Sequence, residues 1–325
     1  MIIVTGGAGF IGSAFVWKLN AQGHEDILIV DRLGTSQKWK NLVGLRYTDY
    51  LHRDAFLKMV TEDAVPFEVS AVVHMGACSS TTELDADFLW TNNFAYTRTL
   101  AQWAVRHEAR FIYASSAATY GDGAQGFSDD HDRIGTLKPI NMYGYSKQVF
   151  DLWVLRQKLE NRMAGIKFFN VFGPNEYHKG DMTSVIFKAF HQIRQTGKVK
   201  LFKSYLPEYP DGGQLRDFVY VKHCVDAMAW LLEHPSVNGI FNLGTGRART
   251  WNDLIGAVFS AMDIRPDIEF IDMPDSLRRQ YQYFTQADMT KLKNTGCPAA
   301  FTSLEDAVRD YVVNYLQKAD PHLGR

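Results

Sequence analysis

Cysteine is scarce in this chain. Three residues among 325, Cys78, Cys224 and Cys297, lie far apart, and none has the spacing of a metal ligand. Neither a disulfide framework nor a cysteine metal site is expected, and three thiols of this kind fit a reducing, cytoplasmic setting. An excess of charge is also missing. Thirty-five Lys and Arg stand against 36 Asp and Glu, for a net charge of −1, with no basic stripe and no acidic tail. Nucleic acid and anionic membranes are therefore not indicated as partners. Apolar runs stop at strand length, so no bilayer-spanning segment is expected. Met1 leads straight into one such run, without the pattern of a signal peptide. No internal repeat or low-complexity tract is present.

What the chain does have begins at its first residue. In Met1-Ile-Ile-Val-Thr-Gly6-Gly-Ala-Gly9-Phe-Ile-Gly12 a short apolar run reads as a buried strand, and Phe10 to Leu19 reads as a helix. Gly6, Gly9 and Gly12 permit a tight turn, close approach of backbone to a pyrophosphate, and close helix–strand packing. The free N–H groups at the helix start then face the phosphates. A second strand, 26–31, ends in Asp31, about twenty residues past the glycines, where a ribose partner belongs. A lone glycine pattern is weak, but in this strand–turn–helix–strand–acid context it points to a dinucleotide.

Further strands are expected near Arg46–Asp49, Val69–Met75, Arg110–Ser115 and Lys167–Asn170, separated by helices near Asp54–Val60, Phe88–His107 and Tyr143–Leu159. This alternation predicts an α/β fold with a doubly wound parallel (Rossmann) sheet. After Gly173-Pro174 the loops lengthen, and 203–214 is rich in Pro, Gly, Tyr and charge. The strand-like segments 217–221 and 239–244 are expected to return to the first domain. The division is thus 1–171, with 217–246 returning, for the dinucleotide, and 172–216 with 247–325 as a second, smaller α/β substrate domain.

Tyr143 and Lys147 stand at i and i+4, on one face of the expected helix. A phenol ionises near pH 10, too high for a base at neutrality; a cation beside it is expected to lower that value. Hydride leaves a carbinol carbon only as the hydroxyl proton is removed, so a base must converge on that oxygen. Tyr143 is the candidate base, Lys147 its electrostatic partner and ribose ligand, and Ser116 the hydroxyl that orients the substrate oxygen. The bland alternatives are a solvated helix pair and a turn serine. Lys179, past a Gly-Pro turn, reads from spacing alone as a loop lysine.

Taken together the motifs resemble the extended short-chain dehydrogenases/reductases of the nucleotide-sugar epimerase type, over nearly the whole chain. The resemblance is carried by Met1–Ser13, His74–Glu83, Tyr113–Gly121, Asn141–Lys147, Phe169–Pro174, His178–Gly180, Arg216–Val221 and Phe284–Asp288. Ala77-Cys-Ser-Ser-Thr-Thr82 and His178-Lys-Gly180 are the narrower segments, and they favour the branch acting on ADP-activated heptoses. The resemblance implies inversion at C6 of an ADP-heptose for lipopolysaccharide inner-core synthesis, by transient oxidation and re-reduction, and assigns Lys179 a second acid/base role. It extends the cofactor site to Phe10, Ile11, Met75, Gly76, Ala77, Cys78, Ser79, Asn92, Val171 and Lys179. Asn170, Asp181, Lys188, Phe202, Lys203, Ser204, Tyr205, Arg216 and Tyr281 fall at substrate positions. Asp181, Lys188 and Met75 depart from the family's Ser, His and Glu. A homo-oligomer, a pentamer by analogy, is also implied; no metal is.

Asp31 favours the free ribose of NAD, whereas Arg32, Lys38 and Arg53 favour the 2′-phosphate of NADP. Lys38 and Arg53 match family positions for that phosphate, Arg53 replacing a Lys, so NADP is expected with NAD also accepted. Three rivals stand beside the ADP-heptose reading. A 4,6-dehydratase needs a carboxylate just after the serine, but Ala117-Ala118-Thr119 follows Ser116. A UDP-hexose 4-epimerase differs in the sugar. A non-catalytic cofactor sensor has no need of aligned Ser116, Tyr143 and Lys147.

Overall fold

The computed structural model describes residues 1–278, 281–298 and 300–324. Its centre is a seven-stranded sheet of β1 (Ile2–Thr5), β2 (Ile27–Asp31), β3 (Asp49–His52), β4 (Ala71–His74), β5 (Arg110–Ser116), β6 (Met163–Phe168) and β10 (Gly239–Leu243). The spatial order is β10-β6-β5-β4-β1-β2-β3, and all pairs are parallel. The central strands β1, β2 and β4 are buried along their whole length and apolar up to a polar last residue, as a sheet covered on two faces requires. Ile2, Val4, Ile27, Ile29, Val73 and Ile112 enter one core. Ile3, Leu28, Val30, Val72 and Phe111 enter the other.

Helices α1 (Phe10–Ala21) and α6 (Val221–Glu233) cover the first face. The second is covered by α2 (Arg53–Thr61), α3 (Tyr96–Arg106) and α4 (Met142–Arg156). Chain order runs outward from β1 to β3, then crosses back to β4 and runs the other way. The reversal leaves a crevice at the carboxyl ends of β1 and β4, where such sheets bind ligands.

A three-stranded sheet joins β7 (Asn170–Phe172), β9 (Leu215–Tyr220) and β11 (Ala248–Thr250), and a parallel pair joins β8 (Val199–Phe202) to β12 (Ile268–Ile271). The helices α5 (Val185–Thr196), α7 (Trp251–Ala261) and α8 (Leu304–Tyr311) pack beside them. Of the two segments expected to return, 239–243 is the outer strand of the large sheet. The segment 215–220 is not in it: β9 pairs with β7 in parallel and β11 antiparallel.

Two boundaries differ from expectation for local reasons. The third strand begins at Asp49 rather than Arg46, because the Asn20 side chain takes the Arg46 backbone, accepting from its N–H at 2.7 Å and donating to its carbonyl at 2.8 Å. The long helix before β5 starts at Ala86 and is widened over Trp90–Ala95 into a π-helical turn, the kind of bulge found at functional sites.

Candidate active site

The crevice is a cavity of about 650 Å³, ample for a dinucleotide-sized ligand site. Its floor is the glycine turn. Gly6 has φ +65°, and a Cβ there would lie 2.6 Å from the Gly76 backbone nitrogen, so the loops after β1 and β4 touch only because both residues are glycine. A Cβ on Gly12 would strike the Gly6 carbonyl. Gly9 caps α1 with no side-chain hydrogen bond, leaving the first N–H groups of a 12-residue helix for an anion. These features fit a dinucleotide pyrophosphate.

Asp31, buried at the end of β2, is already well occupied. Its Oδ2 accepts from the Ala8 N–H at 2.9 Å; its Oδ1 accepts from the Arg32 N–H at 2.6 Å and from Lys38 Nζ at 2.5 Å. The Arg53 guanidinium stacks over Tyr96, 5.0 Å from its ring centre, and donates to Asp54 at 3.1 Å and to Asn92. All four charged side chains line the cavity. Lys38 is ion-paired with the very acid it was set against in the choice between NAD and NADP.

The opposite end holds the candidate proton-transfer groups. Asn141 caps α4 by accepting from the Gly144 N–H at 2.8 Å. A Cβ on Gly144 would lie 2.5 Å from the Ala118 carbonyl. This close approach sets the helix start against the turn after Ser116 and brings the Ser116 hydroxyl beside the Tyr143 phenol. Burial pushes the phenol above its ordinary value, which Ser116 partly offsets. The expected lowering by Lys147 is not what the structure shows. Lys147 donates to the Ala114 carbonyl at 2.8 Å, and burial lowers its own pKa to about 8, with Asp151 opposing.

Beneath these groups lies a network absent from the sequence reading. Asp151, one turn past Lys147 on α4, pairs with Lys167 of β6 at 2.6 Å, both side chains fully buried. The same carboxylate accepts from Ser115 at 2.7 Å and Tyr113 at 3.0 Å. Lys167 also donates to Thr119 at 2.8 Å, and Thr119 to the Ser116 carbonyl at 2.8 Å. Asn93, inside the π-helical turn, was missed too. It accepts from the Cys78 N–H and donates to the Cys78 carbonyl, each at 2.9 Å, holding the loop after β4 as a paired strand would.

Lys179 lies in the turn Tyr177–Met182. Its ammonium is 5.3 Å from the centre of the Phe10 ring, and burial lowers its pKa while Glu176 opposes and Lys188 adds to the lowering. Ser116, Tyr143, Lys147, Lys179, Asn170, Val171 and every residue of the expected cofactor set line this one cavity. His178, Phe218 and Trp251 line it as well, without having been singled out.

The remaining expected substrate residues do not line it. Asp181 and Lys188 are exposed, and Lys188 donates to the Asp181 backbone carbonyl at 2.6 Å. Arg216 is buried between the rings of Trp251 and Tyr281, 5.7 and 5.2 Å from their centres. Tyr281 accepts from the Trp251 indole at 2.9 Å. Arg216 donates to the Leu215 and Gln282 carbonyls rather than pairing with Asp217. Lys203 and Tyr205 both hold Asp272 at 3.1 Å, Ser204 donates to the Leu206 carbonyl at 3.0 Å, and Phe202 ends β8. Trp251 is the shared wall between this aromatic cluster and the cavity.

Residues 2–244 match the NAD dependent epimerase/dehydratase family, and the chain belongs to it. Membership supports a nicotinamide cofactor. The ADP-L-glycero-D-manno-heptose-6-epimerase of Nitratidesulfovibrio vulgaris is 64% identical over 323 residues, 99% of this chain and 100% of that one. The enzyme of the same name from Fusobacterium nucleatum is 48% identical over 332 residues, again 99% and 100%. Among solved structures, Helicobacter pylori ADP-L-glycero-D-manno-heptose-6-epimerase superposes with a TM-score of 0.81 at 25% identity, over 96% of this chain and 95% of that one. Thermus thermophilus UDP-glucose 4-epimerase in complex with NAD gives 0.73 at 25%, over 96% and 97%. No helix among the described residues is long and apolar enough to cross a membrane.

Proposed function

We propose that this chain interconverts ADP-D-glycero-D-manno-heptose and ADP-L-glycero-D-manno-heptose at C6, with NADP as cofactor, in lipopolysaccharide inner-core synthesis. One observation carries the reading: the Ser116–Tyr143 pair and Lys179 reach a single cavity from two different elements. Inversion of one carbinol carbon needs a proton exchanged on each of its faces, and two groups on separate walls meet that need. The names of relatives 48–64% identical over the full chain support the substrate.

The glycine turn and the start of α1 would hold the pyrophosphate, and Lys147 the nicotinamide ribose. When bound, the cofactor supplies the acceptor and donor of a hydride. The chain's own residues move the proton. Ser116 orients the C6 oxygen and Tyr143 exchanges its proton. Lys179 does the same when the opposite face of C6 is presented. Asp31 is the one carboxylate among the described residues lining the cavity, and it lies at the glycine turn. Among the described residues no acid lines the cavity at Ser116, and Asp151 beneath it is committed to Lys167, Ser115 and Tyr113, which supports epimerisation over dehydration.

For NADP the support is local: three cations, Arg32, Lys38 and Arg53, surround an acid whose oxygens already accept three hydrogen bonds. The same reading carries a cytoplasmic homo-oligomer. The test is incubation of purified protein with a panel of ADP- and UDP-sugars, followed by NMR of the products. Conversion of the ADP-heptose epimers alone is expected; turnover of UDP-hexoses in their place overturns the substrate.

A further inference from the structure

We propose that Glu176 is a positioning residue for Lys179, its carboxylate clasping both ends of the loop that carries the lysine. Glu176 is completely buried. Its Oε1 accepts from the Gly173 N–H at 3.3 Å, from the Ser184 hydroxyl at 2.7 Å and from the Tyr311 phenol at 2.9 Å. Its Oε2 accepts from the Ser184 N–H. Gly173 is where the chain leaves β7 and Ser184 is where it enters α5, so one side chain closes the whole excursion between them. Lys179 sits inside it, its own N–H donating to the Glu176 carbonyl at 3.0 Å.

The flanking residues tie the same loop down. Asn175 donates to the Ser13 hydroxyl at 2.9 Å and accepts from the Leu323 N–H at 2.9 Å. The Tyr177 phenol donates to the Pro321 carbonyl at 2.7 Å. Three consecutive side chains therefore fix the loop to α1, α8 and the chain beyond it. Packing alone could be served by an apolar residue at 176. A carboxylate buried there is stable because four donors satisfy it, and its charge is spent beside a cation that has no ion pair among the described residues.

The charged groups facing Lys179 are few. Glu176 opposes the effect of burial on it, Lys188 from α5 reinforces that effect, and His178 beside it is pushed down to about 4 by its own burial. The Phe10 ring supplies the remaining wall. Removing the carboxylate leaves burial and Lys188 unopposed, so the ammonium should lose its proton at lower pH.

The catalytic part of this inference rests on Lys179 as the second acid/base group; the titration part does not. Competitive acetylation with acetic anhydride across pH, read by peptide mass spectrometry, reports the titration of Lys179 without any substrate. In Glu176→Gln the labelling midpoint should fall by at least about half a pH unit, and an unmoved midpoint overturns the proposal. Turnover should fall at least about tenfold, and that loss should vanish when Glu176→Gln is added to Lys179→Met. Losses that multiply in the double variant mean a general structural role and overturn it equally. Should Glu176→Gln fail to fold, Glu176→Asp keeps the charge and displaces the clasp. Its turnover should then fall while the midpoint holds, with the same disappearance in the Lys179→Met background, and a multiplying loss overturns the proposal. If the wild-type protein leaves ADP-heptose untouched, the substrate reading fails while the labelling still decides the role of Glu176.

Discussion

Asp151 and Lys167 form an ion pair of 2.6 Å with neither side chain exposed, directly under the strand end that bears Ser116. Removing one partner of a buried pair strands the other charge, at a cost of about 3–5 kcal/mol. Asp151→Asn and Lys167→Met should each lose about that much in denaturant unfolding. The double variant should lose clearly less than the sum, because no charge is left unpaired. Strict additivity would mean the two side chains do not act as a pair.

Tyr143→Phe keeps the ring and its packing and removes the one ionisable atom. Turnover should drop by at least about a hundredfold, the scale for a positioned acid/base, with cofactor still bound by fluorescence titration. Wild-type turnover would remove Tyr143 from the chemistry.

Lys147 gives a pH test that needs no substrate. Its folded pKa is about 8 against 10.5 for the free side chain, so between those values the unfolded chain holds more protons than the folded one. Stability must therefore rise with pH across that window, and the contribution is absent below about 8, where both states are charged. The gain is on the order of 3 kcal/mol. In cofactor-free protein, wild type should gain on Lys147→Met by that amount between pH 7.5 and 10.5 in calorimetry. A constant difference between the two contradicts it.

Replacing Lys38 and Arg53 together by Ala should weaken NADP binding far more than NAD, since only NADP carries the extra phosphate. The Lys38–Asp31 pair adds a sharper expectation. Loss of Lys38 leaves the Asp31 charge nearer the ribose, which suits a free hydroxyl. Isothermal titration with each dinucleotide decides this, and equal weakening would show that neither cation reads the phosphate.

With the ADP-heptose substrate in deuterated water, the product should carry no carbon-bound deuterium, and turnover should require no added reductant. The hydrogen on C6 leaves and returns as hydride and never exchanges with solvent, while the oxygen-bound proton does. Deuterium at C5 or C6 by mass spectrometry would mean deprotonation at carbon and a different mechanism.

The fold was legible where the signal is local. Ile2, Ile3 and Val4 alternate between the two cores, and the glycine spacing marks the turn. The Tyr143–Lys147 interval marks a helical face. Legibility ended where distant parts of the chain meet. Asp151 and Lys167 stand sixteen residues apart on different elements, and no local pattern pairs them until β6 is laid beside α4. Arg216 touches segments near 251 and 281, contacts that no local pattern around residue 216 records. Asn93 works by imitating a strand, an act with no period. Lys147 was placed on the right face, yet periodicity carries no information about the Ala114 carbonyl that holds its ammonium.

The anchors of the Lys179 loop also have an order in time. Tyr311, Pro321 and Leu323 are translated more than a hundred residues after the lysine they help to hold. A nascent chain can lay β1 to β6 side by side and close the glycine turn while the ribosome is still working through α7. The loop between Gly173 and α5 then has its Glu176 clasp and its Asn175–Ser13 bond, but none of the anchors from Tyr311, Pro321 and Leu323. The glycine turn can thus be complete on an unfinished chain, while the loop that carries Lys179 gains its last anchors only with α8 and the segment beyond it.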